Sequence, residues 1–386
     1  MIIHFSSRTA LTACALCAAG VLAFTPVAVA AGAEPTPPGV PRAALPDPSF
    51  LYREGTQVRA HHGAPEVPDV SALSWLVADA RSGDVLAAHD AHRKLPPAST
   101  LKTLFALTVL PTLPANARHT VREEELEDIG EGSSRVGVAE GRTYRIADLW
   151  RGVFLNSGND AVDVLASLNG GWRTTAEQMQ ARARSLGALD TQVRSPDGYD
   201  TPGQVSSAYD LAVFGRAGLR NPDFAQYCGT AVARFPGGGG WSYEIENTNR
   251  LLTGADGVQL YPGLIGVKNG YTSNAGNTLV AAARRGGRTL VVTVMNPQAG
   301  GGFAVYEEAR ELLDWGFEAA GRVEPVGSLD GLLDRPRPGP RATPVAVAPD
   351  GGSGWPTAGV ISGAVALGAG AVVLVLRRKG GLSARS

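Results

Sequence analysis

Cysteine is nearly missing from this chain of 386 residues: only three occur. Two of them, Cys14 and Cys17, fall in an N-terminal stretch that reads as a removable leader. Cys228 is then left without a partner for an internal disulfide, and cysteine-ligated metal chemistry is excluded. It is expected to be a small buried hydrophobe. A surplus of positive charge is also lacking. Lys and Arg total 35 against 36 Asp and Glu, a formal net charge of −1, so nothing in the composition points to a nucleic-acid partner. No H-E-x-x-H zinc signature occurs, and no G-x-S-x-G elbow that would present the serine of a Ser-His-Asp hydrolase. His89, His92 and His119 are accordingly read as solvated or structural.

What the chain does have is glycine and proline, 49 and 26 residues respectively, with Pro-rich stretches on both flanks of a globular part. Residues 1–30 read as a secretory signal peptide. His4 and Arg8 precede an apolar region from Thr9 to Phe24, and Ala28-Val29-Ala30 is a small-residue cleavage site. Residues 31–69 read as an extended Pro/Ala-rich spacer. Residues 70–320 are the expected catalytic domain, and 321–357 a Pro/Gly-rich linker. The uncharged run 358–376 has about enough residues to span a bilayer. Arg377-Arg378-Lys379 follows at once, so the positive-inside rule makes 377–386 a cytoplasmic tail and puts everything before the span outside.

Inside the globular part, Ser74–Asp79 and Val85–Ala88 read as a hairpin around Ser82-Gly83-Asp84. From Thr103 to about Gly240 the pattern is mostly helical. Apolar residues at helical spacing over Ala147–Leu155 stop at the turn-forming cluster Asn156–Asp160, and a second helix follows. Further helices are expected over Thr174–Leu186 and Ser206–Gly218. After Gly237–Gly240 the pattern changes to strands: Leu264–Thr272, Asn277–Ala283 and Thr289–Met295, closed by an amphipathic helix Val305–Phe317. Strands at both ends with helices between them predict an α+β fold, an antiparallel sheet flanked by helices with an inserted all-helical subdomain.

Three short elements carry the chemistry. In Ser99-Thr100-Leu101-Lys102 the serine and lysine stand three positions apart at the start of a helix, so they share a face. A serine hydroxyl needs a neighbouring base to become a nucleophile, and a lysine whose pKa is lowered by burial can be that base. Ser157-Gly158-Asn159 occupies the tight loop between two helices. Lys268-Asn269-Gly270-Tyr271-Thr272 begins as a strand. Each alone is commonplace. In this order and these settings their spacings suit the S-x-x-K, S-x-N and K-T-G trio of penicillin-binding proteins and related β-lactamases.

From Leu73 to Phe317 the chain resembles the D-alanyl-D-alanine carboxypeptidases, the low-molecular-mass penicillin-binding proteins of serine peptidase family S11. The resemblance extends to Glu140-Gly141, Asp148-Leu149, Ser207-Ala208-Tyr209-Asp210-Leu211 and Asn247-Thr248-Asn249-Arg250-Leu251-Leu252. It implies a β-lactamase/DD-peptidase-like fold and removal of the terminal D-alanine from peptidoglycan stem peptides through an acyl-enzyme, with acylation by β-lactams. It implies Ser99 as nucleophile, Lys102 as general base and Ser157 as proton relay. Asn159, Lys268, Asn269, Gly270, Tyr271 and Thr272 would bind substrate, and the N–H groups of Ser99 and Tyr271 would form the oxyanion hole. No metal or other cofactor is needed. Asn269 departs from the family pattern, which has Thr; weaker or altered carboxylate and penicillin binding is expected from it. It also keeps open a second reading, a catalytically weak protein that binds cell-wall peptides or penicillins. A β-lactamase of the same fold is a third, disfavoured because no E-x-x-L-N segment supplies a deacylating glutamate.

Overall fold

The chain joins the sheet earlier than its Pro-rich sequence implies. A 3-10 turn over Pro48–Tyr52 leads into β1 (Thr56–Ala60), and the expected hairpin follows as β2 (Ala72–Asp79) and β3 (Asp84–His89). Leu51 is buried in the core, and Thr56, Gln57 and Val58 pair with β3. The second half of the expected spacer is therefore part of the globular unit. Its prolines, Pro65 and Pro68, sit in the β1–β2 connection, where no ladder hydrogen bond is lost. The computed structural model describes residues 47–127 and 129–330. The expected leader, the remainder of the spacer, the linker from residue 331, the 358–376 run and the basic tail lie outside the described residues. Among the described residues no helix is long and apolar enough to cross a membrane.

After β3 come α1 (Lys102–Val109), β4 (Arg118–Thr120), β5 (Thr143–Arg145), α2 (Ile146–Leu155), α3 (Asn159–Leu168), α4 (Trp172–Ser185), α5 (Ala208–Gly218) and α6 (Pro222–Cys228). Next are β6 (Val232–Gly238), β7 (Trp241–Glu246), α7 (Arg250–Thr253), β8 (Leu264–Thr272), β9 (Gly276–Arg285), β10 (Arg288–Pro297) and α8 (Ala304–Ala319). β11 (Val323–Glu324) and β12 (Gly327–Ser328) close the described chain.

The helical half is less purely helical than expected. It holds two small two-stranded sheets, β4–β5 and the hairpin β6–β7. Gly237–Gly240, expected as the boundary between halves, is the turn region of β6–β7. That ribbon buries little besides Phe235 and Ile245, so its period-two signal is faint. The expected linker start is likewise structural, since β11 pairs with β1 and β12 with β3.

The main sheet is antiparallel, in the order β11-β1-β3-β2-β10-β9-β8, with β12 beside β3. Strand alternation gives it two apolar faces. Trp75 and Val77 of β2 and Leu290, Val292 and Val294 of β10 pack with Ala309, Leu312 and Leu313 of α8. Leu76, Ala78 and Val291 belong to the opposite face, with Leu104 and Phe105 of α1 and Leu211 and Phe214 of α5. Burying each of these Val, Leu and Phe side chains stabilises the fold by about 1.5–3 kcal/mol. Ser207 caps α5, its Oγ accepting from the Asp210 N–H at 3.1 Å. The sheet is thus sandwiched, and β8 is an edge strand that faces the helical half.

Candidate active site

A 3-10 turn over Ala98–Leu101 runs directly into α1 and carries Ser99 at its beginning. Lys102, three residues on, is 1% exposed. Its Nζ donates to Ser99 Oγ, to Asn159 Oδ1 and to the main-chain oxygen of Asp197, each at 2.7 Å. Those three acceptors use all the donors an ammonium has. Burial pushes the Lys102 pKa down to about 8, against the opposing pull of the Asp197, Asp163 and Asp160 carboxylates. The first sequence element and the asparagine of the second are therefore assembled around one buried lysine.

Ser157 lies between α2 and α3, 7% exposed, in a left-handed conformation (φ 57°) that a serine rarely adopts. Its neighbours hold it there. Gly158 N donates to Gly152 O at 3.0 Å and Asn159 N to Ser134 O at 2.8 Å. The Asp160 carboxylate collects the N–H groups of Val136, Gly137 and Val138 at 2.8–2.9 Å, which fastens the 134–138 segment against the loop.

Opposite stands β8. Lys268 is 1% exposed, and its Nζ donates to Asn269 O at 2.8 Å and Asn269 Oδ1 at 3.4 Å. Burial and the nearby Lys102 ammonium hold its pKa well below the ordinary lysine value. Among the described residues it has no salt bridge, so the site is short of one negative charge. Gly270 packs so closely on the nucleophile's turn that a Cβ there would lie 2.6 Å from Ser99 N. Only glycine lets the strand approach this near. Tyr271 is 67% exposed at the rim, and Thr272 Oγ1 accepts from Ala275 N at 3.1 Å.

Asn269 differs from the sequence expectation. Lys268 and Gly270 pair across β9 with Val280 and Thr278, whereas Asn269 pairs with Leu279, which belongs to the α8 face. Its Oδ1 accepts from Thr248 Oγ1 at 2.9 Å, and Tyr306 OH of α8 donates to Thr248 O at 3.0 Å. Strand alternation thus turns its amide to the side of β8 away from Ser99. The histidines stand apart from the cleft: His89 Nδ1 hydrogen-bonds Thr56, while His92 and His119 sit 2.7 Å from Asp190 and Glu125.

Two participants escaped the sequence reading. Asp197 accepts from Lys102 with its main-chain oxygen, from Asn159 Nδ2 with Oδ2 at 2.7 Å, and from Ser195 Oγ with Oδ1 at 2.7 Å. Gly198, at φ 84°, would place a Cβ 2.1 Å from Ala98 O. The Asp197-Gly198 dipeptide was visible only as an ordinary turn signal. A Gly198→Ala protein should remain largely folded but lose about 10²-fold or more in kcat/KM, because a 1 Å displacement at a reacting centre has that cost. Unchanged kinetics would show that this loop does not position Lys102.

A serine bonded to a buried lysine at a helix start, a strained S-x-N loop and a lysine-bearing edge strand define the class of penicillin-binding serine peptidases. The chain belongs to the D-alanyl-D-alanine carboxypeptidase family, peptidase S11, which matches residues 61–299. It is similar to D-alanyl-D-alanine carboxypeptidase DacB2 of Mycobacterium tuberculosis, 42% identical over 270 residues, covering 69% of this chain and 89% of that protein. With DacD of Escherichia coli it shares 34% identity over 266 residues, 66% of this chain and 65% of the relative. Among solved structures, a D-alanyl-D-alanine carboxypeptidase from M. tuberculosis H37Rv superposes with a TM-score of 0.64 at 40% identity, covering 70% of this chain and all of that one. The Streptomyces K15 DD-transpeptidase gives 0.61 at 25% identity, with 66% and 99% covered.

Proposed function

We propose that this chain is a serine-type D-Ala-D-Ala carboxypeptidase that trims the stem peptides of peptidoglycan through an acyl-enzyme, and that β-lactams acylate the same serine. The observation that carries the reading is the 2.7 Å contact from buried Lys102 to Ser99 Oγ. Neutral Lys102 takes the hydroxyl proton as Ser99 Oγ bonds to the carbonyl carbon of the penultimate D-alanine. The N–H groups of Ser99 and Tyr271 stabilise the oxyanion; one such donor is typically worth about 10²–10³ in rate. The C–N bond then breaks, and a proton delivered through Ser157 leaves with the D-alanine amine. Asn159 holds both Lys102 and the substrate amide. Lys268 receives the terminal carboxylate, supplying the negative charge that this buried cation lacks. Water, activated by the same base, attacks the ester and regenerates Ser99. The substrate lies in the cell wall, so the enzyme works outside the cytoplasm. The leader and the 358–376 run read from the sequence support a domain that is exported and anchored at its C-terminal end.

The test is release of D-alanine from diacetyl-Lys-D-Ala-D-Ala. An enzyme liberates it in multiple turnovers. A protein that binds the peptide, or is acylated by benzylpenicillin, without releasing D-alanine would instead support the binding-protein reading that Asn269 keeps open.

Asn269 has its own expected outcome. Threonine at this position has a shorter side chain that cannot serve Thr248 and Lys268 together as the asparagine oxygen does. Asn269→Thr should release the Lys268 ammonium from its 3.4 Å side-chain contact while keeping the main-chain one, lowering KM and speeding penicillin acylation by about fivefold, the worth of one hydrogen bond. If neither constant moves, Asn269 does not set carboxylate binding.

A further inference from the structure

Past Thr272, at the turn between β8 and β9, lies a cavity of about 350 Å³. Pro96 and Pro97, just ahead of the nucleophile's turn, form one wall. Tyr199, Asp200 and Gln204 form another, and Asn274 of the turn a third. Gly198 abuts Ala98 O, which fixes this cavity beside the segment that carries Ser99. Asp200 Oδ2 accepts from Asn274 N at 3.1 Å and so ties the loop to the turn. Asp200 is the one charged residue of the lining. Among the described residues its only hydrogen bond comes from that neutral N–H.

The direction of a bound stem peptide follows from the reading proposed above, on which this inference rests. Gly270 lies against Ser99. Lys268 is two residues along β8 in one direction and Thr272 two residues in the other. If the terminal carboxylate sits at Lys268, the peptide ahead of the scissile bond runs toward Thr272. At about 3.3 Å per extended residue, the amino acid before the D-alanine pair reaches the end of β8, where Asp200 waits. We propose that Asp200 is the specificity residue for that third position, its carboxylate pairing with the free side-chain ammonium of a basic amino acid. A neutral side chain leaves Asp200 to water, and a carboxylate is repelled. It follows that a stem whose side-chain amine has been acylated by cross-linking is a poorer substrate. The enzyme then consumes stems before a cross-linking acyl transfer uses their amine, rather than after.

The test compares Nα-acetyl-Lys-D-Ala-D-Ala with its Nα,Nε-diacetyl counterpart. Wild-type kcat/KM should favour the free ammonium by about tenfold, the discrimination one charge-assisted hydrogen bond supplies. The preference should reside mainly in KM and shrink with added salt. Asp200→Asn keeps the oxygen that accepts from Asn274, so the diacetyl peptide should react at the wild-type rate while the preference falls to about one. Equal wild-type rates on the two peptides, or a variant that slows both equally, would overturn the proposal. Calorimetric binding of both peptides to a Ser99→Ala protein reads the same ratio without turnover. A wild-type chain that releases nothing from either peptide therefore overturns the carboxypeptidase reading, while the binding ratio still decides the role of Asp200.

Discussion

A Ser99→Ala protein should release no D-alanine above the uncatalysed background, and incubation with benzylpenicillin should leave its mass unchanged. Removing the nucleophile of a nucleophile–base unit typically costs about 10⁶-fold in kcat, nearly as much as removing the whole unit. The loss here is expected to be of that size because no other hydroxyl stands where Ser99 does. Among the described residues the one side-chain hydrogen bond made by Ser99 is that from Lys102, and its loss leaves the ammonium with Asn159 and Asp197 as acceptors. Stability should therefore fall by about 1–3 kcal/mol, the cost of one unsatisfied donor on a buried amine, which a melting curve checks. Peptide binding should survive, since Lys268 and the edge of β8 are untouched. Residual turnover, or a penicillin adduct on another residue such as Ser157, would remove Ser99 from the mechanism.

The catalytic geometry was legible in the sequence where it depends on local periodicity. Ser99 and Lys102 share a face because i and i+3 always do in a helix. The loop at Ser157 could be placed because two helical patterns meet there, and Lys268 could be placed because a strand pattern runs through it. What could not be read depends on contacts between distant segments. Asp197 matters through a main-chain oxygen, which carries no sequence signature, and it meets Lys102 from 95 positions away. Asn269 was readable as a departure from a pattern. Its partner Thr248, and hence the side of β8 it faces, required the register of β8 on β9. The same holds for β1 and β11. Each is short: β1 is a strand only because β3 and β11 supply its hydrogen bonds, and β11 only because β1 does.

Lys102→Met should lower kcat/KM for D-alanine release by about 10²–10⁴-fold, the usual contribution of a positioned general base. The pH profile distinguishes this from simple loss of packing. The active form of Lys102 is the neutral amine. With its pKa lowered from 10.5 to about 8, roughly a tenth of the molecules carry that form at pH 7 and roughly nine-tenths at pH 9. Wild-type kcat/KM should therefore climb about tenfold between those values and then level off. An ordinary lysine would still be climbing at pH 10. The methionine variant has no group to titrate there, so the limb near pH 8 should vanish along with the rate. Asp197 supplies the sharper control, because its carboxylate opposes the effect of burial and holds the Lys102 pKa up. Asp197→Asn removes that charge and should move the limb to lower pH. It should lower the plateau as well, because the Asn159 amide loses the carboxylate that orients it. A limb that stays in place in Asp197→Asn, or that persists in Lys102→Met, would assign the titration to another group and the proton transfer with it.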